Sequence, residues 1–331
     1  MTVSDRSILL FYAVEERDKF VRNDRHLERF LRPFYDRVTG KRGLTGFDVS
    51  FRLLVAALRS RGHEVRVNDN AYARAHPAHS VGLVGTTYLL REWLLPNPAL
   101  LVPSLFDHPG LARCLMDDPR FRRHIVLADW FRAMFEPVYG ARSCVSWFAG
   151  IDTDAWPDTR GRTKEVDVLL YDKIRWDRHA QVPCLLNPIR AELRRRDLRV
   201  EELRYGRHDH AAYRSALERS RAMVFVCEHE TQGLAYQEAL ASNVPVLVWD
   251  FGMWTDPLWK VFSDAPIPAS SVPFFSSACG DTFRPAADFP LALDPLTAAL
   301  DRYEPRAYVR ENPPFERSAR IYADACFGLA A

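Results

Sequence analysis

The amino-acid sequence predicts an α/β protein made of two parallel-sheet units in tandem. Three observations carry that expectation. Short apolar runs alternate with amphipathic stretches, the rhythm of buried strands joined by helices. The rhythm breaks once, at residues 149–158, where Gly and Pro lead into the polar stretch 159–164, and then resumes. The length of 331 residues suits two domains with cores of their own.

The first run, Ile-Leu-Leu-Phe-Tyr-Ala-Val at 8–14, reads as a strand. In 47–61, Phe47, Phe51, Leu54, Val55 and Leu58 recur at helical spacing, Gly62 closes the helix, and Val65-Arg66-Val67 forms the next strand. Strands are expected at 81–84, 100–102, 124–127 and 145–148, with helices around 109–116 and 129–139. After the break come strand 166–171, helix 178–195, strand 198–203 and helix 209–218. Strand 222–227, helix 234–241 and strand 244–249 follow. Each half is Rossmann-like, and such sheets bind ligands beyond the carboxyl ends of their strands, here in a cleft between the halves.

Bulk charge excludes one partner class. The 45 Lys+Arg against 43 Asp+Glu leave +2, which gives no electrostatic reason for nucleic-acid binding. Lysines occur only at 19, 41, 164, 173 and 260, so the cations are overwhelmingly arginine, most simply a codon bias. The 6 cysteines include no CxxC pair, and buried reduced thiols are the ordinary reading. No membrane span or leader peptide is recognisable, which points to a cytoplasmic protein. Residues 15–42 interrupt the pattern with interleaved basic and acidic side chains and a partial apolar stripe. Such a segment usually packs its stripe and solvates the rest; the alternative is an acidic acceptor or peripheral contact at the inner face of a membrane.

The stretch 230–247 carries the chemistry. A strand ends near Cys227, the chain turns at Gly233, and a helix opens with unpaired N–H groups suited to phosphate. Glu230 lies in the turn and Glu238 about one turn into the helix, as acceptors for sugar hydroxyls. Two glutamates eight apart mean little alone, since about one such pair is expected by chance. The whole string is far more specific. It resembles the E-x7-E region of retaining, GT-B-fold glycosyltransferases of the group 1 type (family 4), usually E-G-F-G-L-x-x-x-E-A-x-A-x-G-x-P-V. Glu230, Gly233, Leu234, Glu238, Ala239, Ala241, Pro245 and Val246 match; Thr231-Gln232 replace Gly-Phe, and Asn243 replaces Gly. Gly43–Phe47 with the later Arg61-Gly62-His63-Glu64-Val65 looks like the family's Gly-rich loop and second strand, and 312–327 like its final helix.

The resemblance implies a GT-B fold with an acceptor domain at 1–155, a nucleotide-sugar domain at 156–305, and a C-terminal helix at 306–331 returning to the first domain. It implies transfer of a sugar from a nucleotide-diphosphate donor to an acceptor hydroxyl with retention, no essential metal and no cofactor. The acceptor would be a glycan, a lipid-linked or a small molecule, in polysaccharide or glycoconjugate biosynthesis. By the same resemblance, Glu238 holds the ribose, Glu230 meets the donor sugar, Gly46, Gly233 and Leu234 line the donor, and the leaving phosphate serves as base. A basic pair neutralises the diphosphate. Lys173 matches its first member, and Arg175 and Arg178 compete for the second. His108, after a predicted strand, either orients the acceptor or is structural. Asp152-Thr153-Asp154 spells DxD but sits in the connection, where a cap is the better reading, and His208-Asp209-His210 reads as a solvated loop or cap rather than a metal site. The alternatives are a GT-B-fold nucleotide-sugar epimerase and a non-catalytic nucleotide-sugar-binding relative.

Overall fold

The computed structural model describes residues 7–13, 46–85, 87–91, 93–102, 107–263, 265–312 and 315–328. The segment 15–42 therefore lies outside the described residues, as do Gly43 to Thr45. Packing divides the chain into two compact units, Met1–Ile125 with Tyr322–Ala331, and Val126–Ile321. The boundary expected at 155/156 falls inside the second.

The first sheet has the order β2-β1-β3-β4-β5-β6, with β1 (Ser7–Ala13), β2 (Glu64–Val67), β3 (Val81–Gly85), β4 (Ala99–Leu101), β5 (Phe121–Val126) and β6 (Cys144–Ser146). Its pairs from β2 to β5 run parallel. Helix α1 (Gly46–Ser60) buries Leu54 and Leu58 of the stripe its spacing predicts, together with Ala57, while Phe51 and Val55 are half-buried and Phe47 at its start is exposed. Gly62 ends it in the left-handed region at φ +79°, as a helix-closing glycine should. Short helices α2 (Asn70–Ala75) and α3 (Thr87–Arg91) follow, too short to show a period. On one side of the sheet, Leu9, Phe11, Val81, Leu83, Trp93, Leu101 and Phe121 form one core.

One expected element is replaced. Residues 109–116 form no single helix but two 3-10 turns, Pro109–Ala112 and Leu115–Asp117. Pro109 and Gly110 disfavour propagation, and Leu111 is left half exposed, so no buried stripe stabilises a longer helix.

In the second unit, helix α4 (Asp129–Tyr139) occupies the predicted residues and buries Phe131, Phe135 and Tyr139. The second sheet has the order β11-β10-β9-β7-β8, all parallel, from β7 (Val166–Asp172), β8 (Val200–Arg204), β9 (Ser220–Val226), β10 (Val246–Trp249) and β11 (Gly280–Phe283). The helix predicted at 178–195 divides into α5 (Arg178–Gln181), a wide π-helical turn (Val182–Leu186) and α6 (Asn187–Arg195). Pro183 and Pro188 lack the N–H that a regular ladder needs, and the widened turn accommodates them. Helices α7 (His210–Arg219) and α8 (Leu234–Ala241) lie where the sequence places them. α9 (Trp259–Phe262), β11 and α10 (Phe289–Ala298) were not foreseen; Pro290 and Pro295 mask the helical pattern of α10.

The chain ends with α11 (Pro305–Glu311) and α12 (Phe315–Phe327). The last turns of α12 belong to the first unit, where Tyr322 meets Gly82 of β3 so closely that a Cβ there would lie 2.0 Å from its hydroxyl. No helix among the described residues is long and apolar enough to cross a membrane.

Candidate functional site

In the second sheet β8 follows β7 on one side and β9 follows on the other, so the chain reverses its direction of winding between β7 and β9. That is the topological switch point, where the loops leaving two neighbouring strands diverge and leave room for a ligand. The loop after β7 carries Lys173, Arg175 and Trp176; the loop after β9 carries Cys227 to Gly233; and β8 leads into His210.

Lys173 and Glu230 meet there as an ion pair, with side chains 11% and 9% exposed. Burial opposes the ammonium charge, but Glu230 and neighbouring Cys227 outweigh it and raise Lys173 above its ordinary value. The ammonium also lies 4.6 Å from the ring centre of half-exposed Tyr205. The Cys227 thiol, 3.5 Å from Glu230 Oε1, is pushed far upward by burial and by that carboxylate, which marks it as an inert thiol.

The loop bearing Glu230 is held from several sides. Glu228 Oε1 accepts from the backbone amides of Arg175 and Trp176 at 2.9 and 3.0 Å, tying the two loops together. Burial raises the Glu228 carboxyl despite these amides. Ser271 Oγ donates to the carbonyls of Cys227 and Glu228, and the Glu230 amide donates to the Ser270 carbonyl. Trp130 Nε1 donates to the Glu230 carbonyl at 3.0 Å, and Arg175 to that of His229 at 2.7 Å. His229 stacks on Trp176 with ring centres 4.9 Å apart, and burial lowers its imidazole to about 2, so it is neutral. Every clamp leaves the Glu230 side chain beside Lys173.

Gly233 precedes α8 in the left-handed region (φ +68°, ψ +47°), and a Cβ there would lie 2.0 Å from Tyr236 Cε1. Leu234 opens the helix. Glu238 sits in its second turn, 7% exposed; burial raises its carboxyl, while His210 Nε2, 3.2 Å from Oε1, opposes that rise. At the far end Asn243 takes φ +62°, the left-handed closure a glycine would supply, and its amide donates to Asp158.

The two competing arginines differ in their engagement. Arg178 forks onto the buried carboxylate of Asp172, bracing the base of its loop. Arg175 is exposed, lies over Trp176 at 4.0 Å and reaches the loop that carries Glu230. Gly46 begins α1 with open space around it, so no steric demand fixes a glycine there. His108 caps the first 3-10 turn, Nδ1 accepting from Gly110 at 2.9 Å, and burial lowers its imidazole. Asp152 caps its own short turn through Asp154 N. Among the described residues no group of three potential ligands could hold a metal.

Glu228, His229 and Trp130 escaped the sequence reading, and His210, read there only as part of a solvated loop or cap, has its contact with Glu238 added by the structure. The first two had a signal, since a polar Glu-His-Glu run directly after an all-apolar strand must be satisfied by neighbouring loops. Trp130 and His210 had none, because their partners lie 100 and 28 residues away.

No protein-family description matches the sequence, and no curated protein does. Solved structures do. The chain is similar to AviGT4, a glycosyltransferase involved in avilamycin A biosynthesis, at TM-score 0.58 and 12% identity over 98% of both chains. It is similar to WaaG, a glycosyltransferase involved in lipopolysaccharide biosynthesis, at 0.53 and 12%, over 97% of this chain and 100% of that one. A sucrose-phosphate synthase from Thermosynechococcus elongatus gives 0.53 and 14%, over 97% and 98%. The expected fold class is borne out: the chain is an α/β protein with two parallel sheets and shares the GT-B fold of these structures.

Proposed function

We propose that this protein is a retaining glycosyltransferase that moves a sugar from a nucleotide-diphosphate donor to an acceptor hydroxyl without a metal. The observation that carries the reading is the meeting of Lys173 and Glu230 at the β7/β9 switch point, beside the amide end of α8. In this reading Lys173 turns from Glu230 toward the diphosphate as the donor enters, with Arg175 as the second cation. Arg178 is the weaker choice because Asp172 occupies its fork. The N–H groups opening α8 at Leu234 face the phosphates, Glu238 accepts from ribose hydroxyls, and Glu230 accepts from the donor sugar.

Bond cleavage leaves negative charge on the β-phosphate, where a fixed cation stabilises the transition state more than the ground state. The departing phosphate oxygen takes the acceptor proton, so no side-chain base is required. The acceptor, a glycan, lipid-linked or small molecule, is assigned to the first unit, with His108 as its candidate contact.

Calorimetric titration with uridine, guanosine and adenosine diphosphates and their sugars tests the donor. One of them should bind and stabilise the fold, and binding should persist in EDTA. Failure of every nucleotide to bind refutes the reading. The anomeric proton coupling of a transfer product tests retention.

A further inference from the structure

The loop from β8 into α7 brings His210 to Glu238, and nothing in the proposed chemistry yet uses it. Nε2 lies 3.2 Å from Oε1, and no other hydrogen bond reaches the Glu238 carboxylate among the described residues. The histidine is itself held. Asp209 caps α7 by accepting from Ala212 N at 2.7 Å, which fixes the backbone at the first helical residue. The ring meets the edge of Trp156 at 5.4 Å, and Arg214 covers the same indole at 5.3 Å. A carboxylate this deep would otherwise favour its protonated form, in which it is a poor acceptor of hydroxyl protons.

We propose that His210 is a positioning residue for donor binding, its imidazole engaging one oxygen of Glu238 so that the other stays ionised and aimed for the vicinal hydroxyls of a nucleotide ribose. The inference rests on the reading of Glu238 given above. It specifies that the recognised group is a diol donating to a charged acceptor, and that recognition depends on the proton carried by a half-exposed imidazole. Glu238 raises the affinity of His210 for that proton, and His210 in turn holds Glu238 below where burial alone would leave it. Lys173 from the β7 loop, Tyr171 of β7 and Tyr213 of α7 also face Glu238, while Asp209 and Arg214 face His210.

The sign follows. Removing the imidazole lets Glu238 protonate at higher pH, so the acid limb of donor affinity moves upward. The test measures Kd for whichever nucleoside diphosphate binds wild type, from pH 5 to 8.5, in wild type, His210→Ala, His210→Gln and Glu238→Gln. His210→Ala should weaken binding roughly tenfold near neutrality and shift the acid limb up by about one pH unit. His210→Gln, which keeps a donor but no charge, should recover part of the neutral-pH affinity without restoring the limb. In turnover, His210→Ala should raise the donor KM far more than it lowers kcat. Wild-type binding that His210→Ala leaves unchanged in Kd and pH limb overturns the inference alone. Binding that Glu238→Gln leaves intact, or no binding by wild type, overturns the reading of the donor site beneath it.

Discussion

Lys173 and Glu230, 57 residues apart in sequence, form a nearly closed ion pair between the loops leaving β7 and β9. Neither charge has another opposite charge bonded to it among the described residues, so each depends on the other. Removing one partner of such a pair leaves a buried charge alone, at a cost of about 3–5 kcal/mol. Lys173→Met should therefore lower the melting temperature clearly and abolish transfer. The double variant Lys173→Met/Glu230→Gln should recover much of the stability and none of the activity. If the double variant is as unstable as the single, the pair is not the source of the loss.

Gly233 is fixed by its positive φ and by Tyr236. Gly233→Ala places a methyl group against a ring that is itself fully buried, with strain of about 1–3 kcal/mol and a displaced start to α8. Nucleotide binding should fall more steeply than stability. Calorimetry and thermal melting of the same sample separate the two effects, and equal losses in both would count against a role for the α8 amides.

Asn243 offers a contrasting substitution. Its φ of +62° suits glycine at least as well, but its amide also bonds Asp158 at 2.9 Å. Asn243→Gly should change stability by less than about 1 kcal/mol, the two effects offsetting. Asn243→Val, β-branched at positive φ, should destabilise by more than about 1 kcal/mol. Urea midpoints for the two variants check the order.

Acid should weaken the first unit through His124. Burial lowers this imidazole from 6.5 to about 4. The unfolded chain takes up the proton near pH 6.5 and the folded chain does not until about 4. Stability is thus full above pH 6.5 and declines as pH falls through that window, by about 3 kcal/mol at its lower end. His124→Phe should flatten this decline in urea unfolding between pH 7 and 4.5. An unchanged slope would assign the acid sensitivity elsewhere, His229 being next in line.

Strands β1, β3, β7 and β9 and helices α1, α4 and α8 were legible because each carries its own period or an unbroken apolar run. Residues 109–116 misled because Pro109 and Gly110 stop a helix from propagating, so Leu115 and Met116 reach the first core from a separate turn while Leu111 stays half exposed. α10 was hidden by prolines, which suppress the pattern more than the structure. Within the site, Glu230, Gly233 and Glu238 could be read from one local string. Their environment could not, since Trp130, Ser270 and His210 reach the same residues only after the sheet has formed. Lys173 lay between, placed by its match to the first member of the basic pair that the resemblance implies but without its partner.

Tyr322 against Gly82 has a consequence for the order of folding. The first unit is assembled from the two ends of the chain, whereas the second is the continuous segment between them. During synthesis the middle of the protein can complete itself while β3 still lacks the side chain that covers Gly82. The first unit closes only when the residues from Tyr322 onward emerge. Truncation before residue 322 should thus expose the older, N-terminal half to protease while sparing the younger one.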